Sequence, residues 1–321
     1  MDPSSISPPL ESSSPVAVPR TLTPTDAPGA PAGALSGPVR VPGQPDPSAP
    51  IATHWIASHR VDLEECGSTN DEAARLARAG ARHGTLITAQ RQTAGRGRAG
   101  RSWTSPPGNL YLSLVLRPTL LLRDVPAMTL AIGVAVCETV RGLGAAATLK
   151  WPNDVLIGQR KVAGVLLESQ SRGERLDVVI AGIGINLEAS PAPDTAPWAT
   201  HLAHELGAAV DREAFLARLL GAVEHWVDRY VACGLAGVLP TWTALMDRQT
   251  RVQTRLAGRL VPGLLEGIDD TGALLLRADD GSLHRVIAGE VETVRESLVV
   301  VQAPVPAEPT DDLTAVVHPT A

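Results

Sequence analysis

The chain has 321 residues, is 44% hydrophobic and carries a formal net charge of −6, which is enough for one large domain plus a small one and argues against a general nucleic-acid binder, although a local basic loop is still allowed. No apolar run is long enough to span a bilayer, and the N-terminus lacks the basic region and apolar core of a signal peptide. Three widely spaced cysteines, Cys66, Cys137 and Cys233, form no metal or redox pattern, so a reduced, cytoplasmic setting is expected.

Residues 1–50 are rich in Pro, Ser, Ala and Gly and read as a disordered tail with no room for a helix-turn-helix. Thr53 to Glu65 alternates in places like a strand. Gly67-Ser68-Thr69-Asn70-Asp71-Glu72 follows. Thr69 with Glu72 three positions on predicts a capping box, and Gly80 a helix stop. Ser68, Thr69 and Asn70 are therefore placed at a helix N-terminus, where they are either simple caps or ligand-binding groups.

Thr85–Ala89 reads as a buried strand leading into Gln90–Trp103, where Arg96, Arg98 and Arg101 alternate with Gly95, Gly97 and Gly100. Three guanidiniums so close repel one another, and the glycines leave the backbone unrestrained. Such a loop is expected to be mobile when empty and ordered when an anion neutralises it. Taken alone it fits a solvated basic turn or an RNA-binding Arg/Gly run as well as a phosphate- or carboxylate-binding loop. Its place between two apolar strands makes it a loop within a folded domain.

Asn109–Arg117 predicts a second strand, with Leu110, Leu112, Leu114 and Leu116 on one face. Asp124–Gly144 predicts a long helix. A strand should then run into Lys150 and break at Pro152, leaving Asn153 and Asp154 at its end, where open sheets bind ligands. A hairpin follows, turning at Gly158-Gln159 and continuing as 161–169. Leu176–Ile180 predicts a strand ending in Ala181-Gly-Ile-Gly-Ile-Asn186, whose glycines permit close approach of a strand or a ligand. His201–Leu206, Asp211–Tyr230 and Leu235–Met246 read as helices. His201, His204 and His225 lack acidic or Cys partners at ligand spacing and read as packing or surface residues. From Arg251 the pattern changes to short strands, 252–256, 260–267, 273–277 and 283–288, with hairpin turns at Asp269–Gly272 and Asp279–Gly281. The last residues, 298–321, return to a flexible, Pro-rich tail.

The chain holds 26 Arg but two Lys, Lys150 and Lys161, and four Asn: Asn70, Asn109, Asn153 and Asn186. Where Lys persists among so many Arg, a compact ammonium is needed, or the residue simply snorkels at the surface. The polar groups share a theme: anion-binding backbone, three Arg, two Lys, one Asp and amides, with no strong nucleophile. That set suits catalysis by positioning and charge neutralisation, such as activation of a carboxylate by a nucleotide.

Gly-Arg-Gly-Arg-Ala-Gly-Arg-Ser-Trp (95–103), Lys-Trp-Pro-Asn-Asp (150–154), Lys-Val-Ala-Gly-Val-Leu-Leu-Glu (161–168) and Gly-Ile-Gly-Ile-Asn (182–186) resemble the motifs of biotin protein ligases. Ser-Thr-Asn (68–70) and Gly-Glu-Val (289–291) fit as well, so the resemblance runs in order over about 55–297. It implies an α+β fold: a mixed-sheet, class II synthetase-like catalytic domain at 51–248 and an SH3-like β-barrel at 249–297. It implies ATP, Mg2+ and biotin, with biotinyl-5′-AMP as intermediate. The acceptor would be a biotin carboxyl carrier protein, as of acetyl-CoA carboxylase. No DNA or membrane partner is implied, and a homodimer is compatible.

Carried onto this chain, the resemblance makes Ser68, Thr69, Asn70, Gln92, Arg96, Gly97, Arg98, Lys161 and Gly164 biotin-binding. It makes Arg96, Arg98, Arg101, Trp103, Lys150, Asn153 and Asn186 nucleotide-binding, and Lys161, Arg98 and Asp154 catalytic, Asp154 orienting an Arg or the metal. The metal's ligands stay open. The chain departs from the family at Asp71, where Gln is usual; that carboxylate is expected to face solvent. Lipoate or octanoate transfer on a related fold, and a non-catalytic biotin-responsive regulator or RNA binder, are the alternatives.

Overall fold

A computed structural model describes residues 53–248, 251–256, 258–287 and 291–293. The tails expected at 1–50 and 298–321, and Gly289 and Glu290 of the terminal motif, lie outside the described residues. Seven strands make the large sheet: β1 Arg60–Cys66, β2 Thr85–Gln92, β3 Leu110–Leu116, β4 Ala147–Lys150, β5 Asp154–Ile157, β6 Arg160–Arg172 and β7 Arg175–Ile185. Their order is β1-β2-β3-β7-β6-β5-β4. β1 pairs parallel with β2 and the remaining neighbours are antiparallel, giving the expected mixed sheet. Among the described residues five α-helices accompany it: α1 Thr69–Arg78, α2 Met128–Arg141, α3 Leu202–Leu206, α4 Arg212–Cys233 and α5 Leu239–Leu245.

β3 shows why the sheet is buried on both sides. All seven of its residues are buried. Leu110, Leu112, Leu114 and Leu116 join the core made with α2 and α4, whereas Val115 packs with Ile87, Val178 and Ile180 against Ala73 and Ala77 of α1. The period of two along the strand thus divides the helices, with α2 and α4 on one face and α1 on the other. Each fully buried Leu contributes about 1.5–3 kcal/mol relative to an exposed one.

The helix stop at Gly80 is present, with φ +92°. The capping box is not. Ser68, not Thr69, occupies the N-cap position, and no side-chain bond caps the helix from there. The Thr69 N–H instead donates to Gln92 Oε1 at 2.8 Å, and Glu72 pairs with Arg75 at 2.9 Å. The first orphan donor of α1 is therefore satisfied across space by β2.

β8 Arg251–Leu256, β9 Arg259–Ile268, β10 Leu274–Ala278, β11 Leu283–Val286 and β12 Val291–Thr293 form a second, antiparallel sheet in the order β11-β10-β9-β8-β12. Its last strand returns beside its first, as an SH3-like module requires. Val252, Leu265, Leu274, Leu276, Val286 and Val291 belong to the same core cluster as the large sheet, so a module too small to bury much alone leans on its neighbour. Trp151 seals the contact by donating from Nε1 to the Gly272 carbonyl at 3.0 Å. Among the described residues no helix is long and apolar enough to cross a membrane.

Glu224 of α4 is 5% exposed and accepts the backbone N–H groups of His54, Trp55 and Ile56 at 2.7–2.9 Å. Burial pushes its carboxyl up, but these bonds outweigh that and hold it below its ordinary value of 4.5. A depressed folded-state value gives stability that is present above 4.5 and lost as pH falls toward the folded-state value. Glu224→Gln should cost about 1–3 kcal/mol at neutral pH. In paired urea melts the gap from wild type should narrow in acid below 4.5; a gap that stays constant with pH would contradict this role.

Candidate active site

The site lies on the α1 face of the large sheet. Register places Lys150, Asp154, Gly164 and Gly184 in one row across β4, β5, β6 and β7, and paired residues share a face. Gly182 lies one step along that face from Gly184, opposite Ser113 and Leu166. Both β7 glycines are covered. A Cβ on Gly182 would collide with the Asn70 amide, and one on Gly184 would stand 2.8 Å from Trp103 Cε2. Their missing side chains let the start of α1 and the Arg/Gly loop rest directly on the sheet.

Hydrogen bonds fix the α1 end. Gln92 accepts from the N–H and hydroxyl of Thr69 at 2.8 and 3.2 Å and donates to Ser105 Oγ at 2.9 Å. Ser113 Oγ lies 2.6 Å from Asn70 Oδ1 and 2.8 Å from Thr69 Oγ1. Asn70 donates to Glu168 Oε2 at 2.7 Å. Ser68, Thr69 and Asn70 are all buried.

The Arg/Gly loop folds back on itself. Trp103 N–H donates to the Gly95 carbonyl at 2.8 Å and Gly97 N–H to Arg101 at 2.7 Å, while Arg98–Gly100 forms a tight turn in which Ala99 takes φ 54°. Neutralising anions come from the chain itself. Arg96 donates to both oxygens of Glu168 at 2.8 and 2.9 Å and through Nη1 to Asp71. Asp71 beside the guanidinium, with Glu168 adding to it, holds Arg96 above its ordinary value. Asp71 is exposed as expected, but it is engaged. Arg98 reaches Asn153 Oδ1 at 3.5 Å.

Lys161 is held at both backbone groups, its N–H donating to Trp198 at 2.6 Å and its carbonyl accepting from Thr200 at 2.9 Å. Its ammonium sits 2.6 Å from Asp154 Oδ1 and 5.0 Å from the centroid of the Trp103 ring, within cation–π range. Lys150 approaches the other Asp154 oxygen at 3.9 Å. Asn153 donates to the Val165 carbonyl and Asn186 to the Thr200 carbonyl, each at 2.9 Å.

These groups enclose a cavity of about 300 Å³, at the small end for a small-molecule site. Ser68, Thr69, Asn70, Gln92, Arg96, Gly97, Arg98, Arg101, Trp103, Asn153, Lys161, Gly164 and Asn186 all line it. Lys150 and Asp154 stand behind the wall, reaching it through Lys161. Leu112, Ile183 and Trp198 are among the other residues of the lining. Sequence reading passed over Glu168 and Ser113. Glu168 closes the 161–168 motif, but nothing local says that its partner lies 72 residues away. Hydroxyls and amides from the start of α1 and the cationic side chains of Arg96, Arg98 and Lys161 line the same cavity. Such a cleft takes a ligand with a neutral head and an anionic junction.

Residues 67–186 match the biotin/lipoate A/B protein ligase family, and residues 247–293 match the biotin protein ligase C-terminal domain. The chain is 40% identical over 232 residues to the biotin–[acetyl-CoA-carboxylase] ligase of Paracoccus denitrificans, covering 68% of this chain and 94% of that protein. It is 34% identical over 248 residues to the bifunctional ligase/repressor BirA of Bacillus subtilis (strain 168), covering 75% and 76%. The structure of biotin protein ligase from Aquifex aeolicus in complex with biotin and ATP aligns with a TM-score of 0.64 at 30% identity, over 74% of this chain and 100% of that one.

Gly184→Ala should force Trp103 off β7 and cost about 1–3 kcal/mol through overpacking. The variant is expected to melt at a lower temperature with altered tryptophan emission. Unchanged melting and emission would mean that Trp103 does not rest on this glycine.

Proposed function

The chain belongs to the biotin protein ligase family, and from that premise we propose that it activates biotin with MgATP and transfers the biotinyl group to a lysine of a biotin carboxyl carrier protein. The convergence of Lys161 and the Arg/Gly loop on one cleft carries this reading. In the first step a biotin carboxylate oxygen forms a bond to the α-phosphorus, and the bond from that phosphorus to the bridging oxygen breaks, releasing pyrophosphate. In the second, the acceptor amine forms a bond to the biotinyl carbonyl carbon, AMP leaves and the amine loses a proton.

Two anions meet in the first step, and fixed cations offset their repulsion. Lys161, clamped by its own backbone groups, would bridge carboxylate and α-phosphate as a point charge. Arg98, reaching toward Asn153, would lie over the phosphate, and the α1 start would take the biotin head. Gln92 would serve chiefly by holding α1, since its amide is already engaged. Asn186 would serve the adenosine side by fixing the loop at Thr200. Arg101, Trp103 and Lys150 complete the nucleotide half of the proposal. Magnesium would arrive on the nucleotide phosphates. Asp154, between the two lysines and behind the cavity wall, would act through Lys161.

We take 51–248 as the catalytic unit and 249–297 as the terminal module. The match at 247–293 to a domain named for biotin protein ligases favours biotin over lipoate or octanoate. A carrier domain incubated with the protein, biotin and MgATP should gain one biotinyl mass on a lysine; no gain with folded protein contradicts the proposal. Lys161→Ala should suppress adenylate formation, by about tenfold or more for one lost charged contact. Arg98→Gly should still form the adenylate but release it to solution. If both variants keep full adenylate retention and transfer, these roles are misassigned.

A further inference from the structure

We infer that Ser113 is a positioning residue that decides which ligand groups the cavity accepts: acting through Thr69, it sets one wall to receive a hydrogen-bond donor. All seven residues of β3 are buried, and Ser113, between Leu112 and Leu114, is 0% exposed. A hydroxyl taken so far from water has to be bonded. It lies between Asn70 Oδ1 at 2.6 Å and Thr69 Oγ1 at 2.8 Å. Asn70 and Thr69 line the cavity, and Ser113 stands behind them.

Counting hydrogens gives each bond its direction. The Asn70 amide donates from Nδ2 to Glu168 at 2.7 Å, so the end toward Ser113 is the carbonyl oxygen, which only accepts. The one hydrogen of Ser113 therefore goes to Asn70. Thr69 must give its own hydrogen, to Ser113 at 2.8 Å or to Gln92 Oε1 at 3.2 Å. Gln92 is fixed in its turn: Oε1 takes the Thr69 N–H, and Nε2 donates to Ser105, whose hydrogen goes to the Trp103 carbonyl at 3.0 Å. With its hydrogen held by the protein in either arrangement, Thr69 has only a lone pair left for the cavity. A ligand N–H satisfies that lone pair. A ring oxygen, a sulfur or a methylene leaves a buried acceptor unpaired, the condition that separates substrates most sharply. On the ligase reading above, which this inference rests on and deepens, the donor is a ureido N–H of biotin, and dithiolane or alkyl heads are refused at the same place.

The test is calorimetric titration of the full chain with biotin and with the two cyclic carbamates in which one or the other ureido N–H is replaced by a ring oxygen. Wild type should bind biotin about tenfold or more tightly than one of the carbamates. Ser113→Ala frees the Thr69 hydroxyl to turn, and that preference should shrink about two- to tenfold, the range of one hydrogen bond. Ser113→Cys, with a weak donor at the same place, should lie between. Thr69→Val should lose the preference, and adding Ser113→Ala to it should change the preference no further. A serine that only supports the fold would weaken biotin and carbamate alike. An unchanged ratio in Ser113→Ala, or in Ser113→Cys should the alanine variant not fold, therefore overturns the inference. So does a wild type that binds all three ligands alike, or none of them. A wild type that binds biotin with the stated preference but transfers none to a carrier domain would sink the ligase reading alone.

Discussion

Lys161 and Arg96 reach the cleft as cations, and each is met by a carboxylate carried on the sheet, Asp154 at the start of β5 and Glu168 on β6. Like charges gathered at the edge of a low-dielectric core repel unless countered. The internal carboxylates offset that repulsion. They also define what a ligand has to offer: an anionic group able to compete with an aspartate for the ammonium. On the proposed reading, binding is an exchange of counter-ions, with little fresh desolvation for charges already half withdrawn from water.

The sheet makes this possible by what it leaves out. Gly164, Gly182 and Gly184 lie under Trp103, Lys161 and Asn70, so β6 and β7 present a nearly bare floor. Side chains from three distant stretches settle onto it: the start of α1, the Arg/Gly loop and the residue that opens the 161–168 run. The β4–β5 turn that carries Asn153 is tied to the terminal module through Trp151 and Gly272. The terminal module is thus connected to the cleft through one turn.

Much of this was legible in the sequence. Alternation in 110–116 gave β3 and its buried face, because period two is a local property of the chain. Of the scarce lysines and asparagines, Lys161, Asn70, Asn153 and Asn186 line the cleft, whereas Lys150 and Asn109 do not. The glycines of 182–186 indicated close approach. What remained hidden was long-range. Thr69 and Glu72 have the spacing of a capping box, yet the cap comes from Gln92, 23 residues on. Glu168 looked like the end of an apolar strand, and Asp71 like a solvated residue of a first helical turn. Both meet Arg96 only after α1, β6 and the loop have packed together. A local pattern specifies an element and its faces, but the partner of a charge depends on topology.

The proposed roles rest on an exchange at Lys161, whose ammonium, 2.6 Å from Asp154, would leave that carboxylate for the joined anions. A crystal structure of the protein with biotin and a non-hydrolysable ATP analogue measures it directly. The account predicts Lys161 Nζ within hydrogen-bonding distance of both the biotin carboxylate and the α-phosphate, with the Asp154 contact lengthened. Ligands bound in the cleft while Lys161 stays on Asp154 and touches neither anion would contradict it.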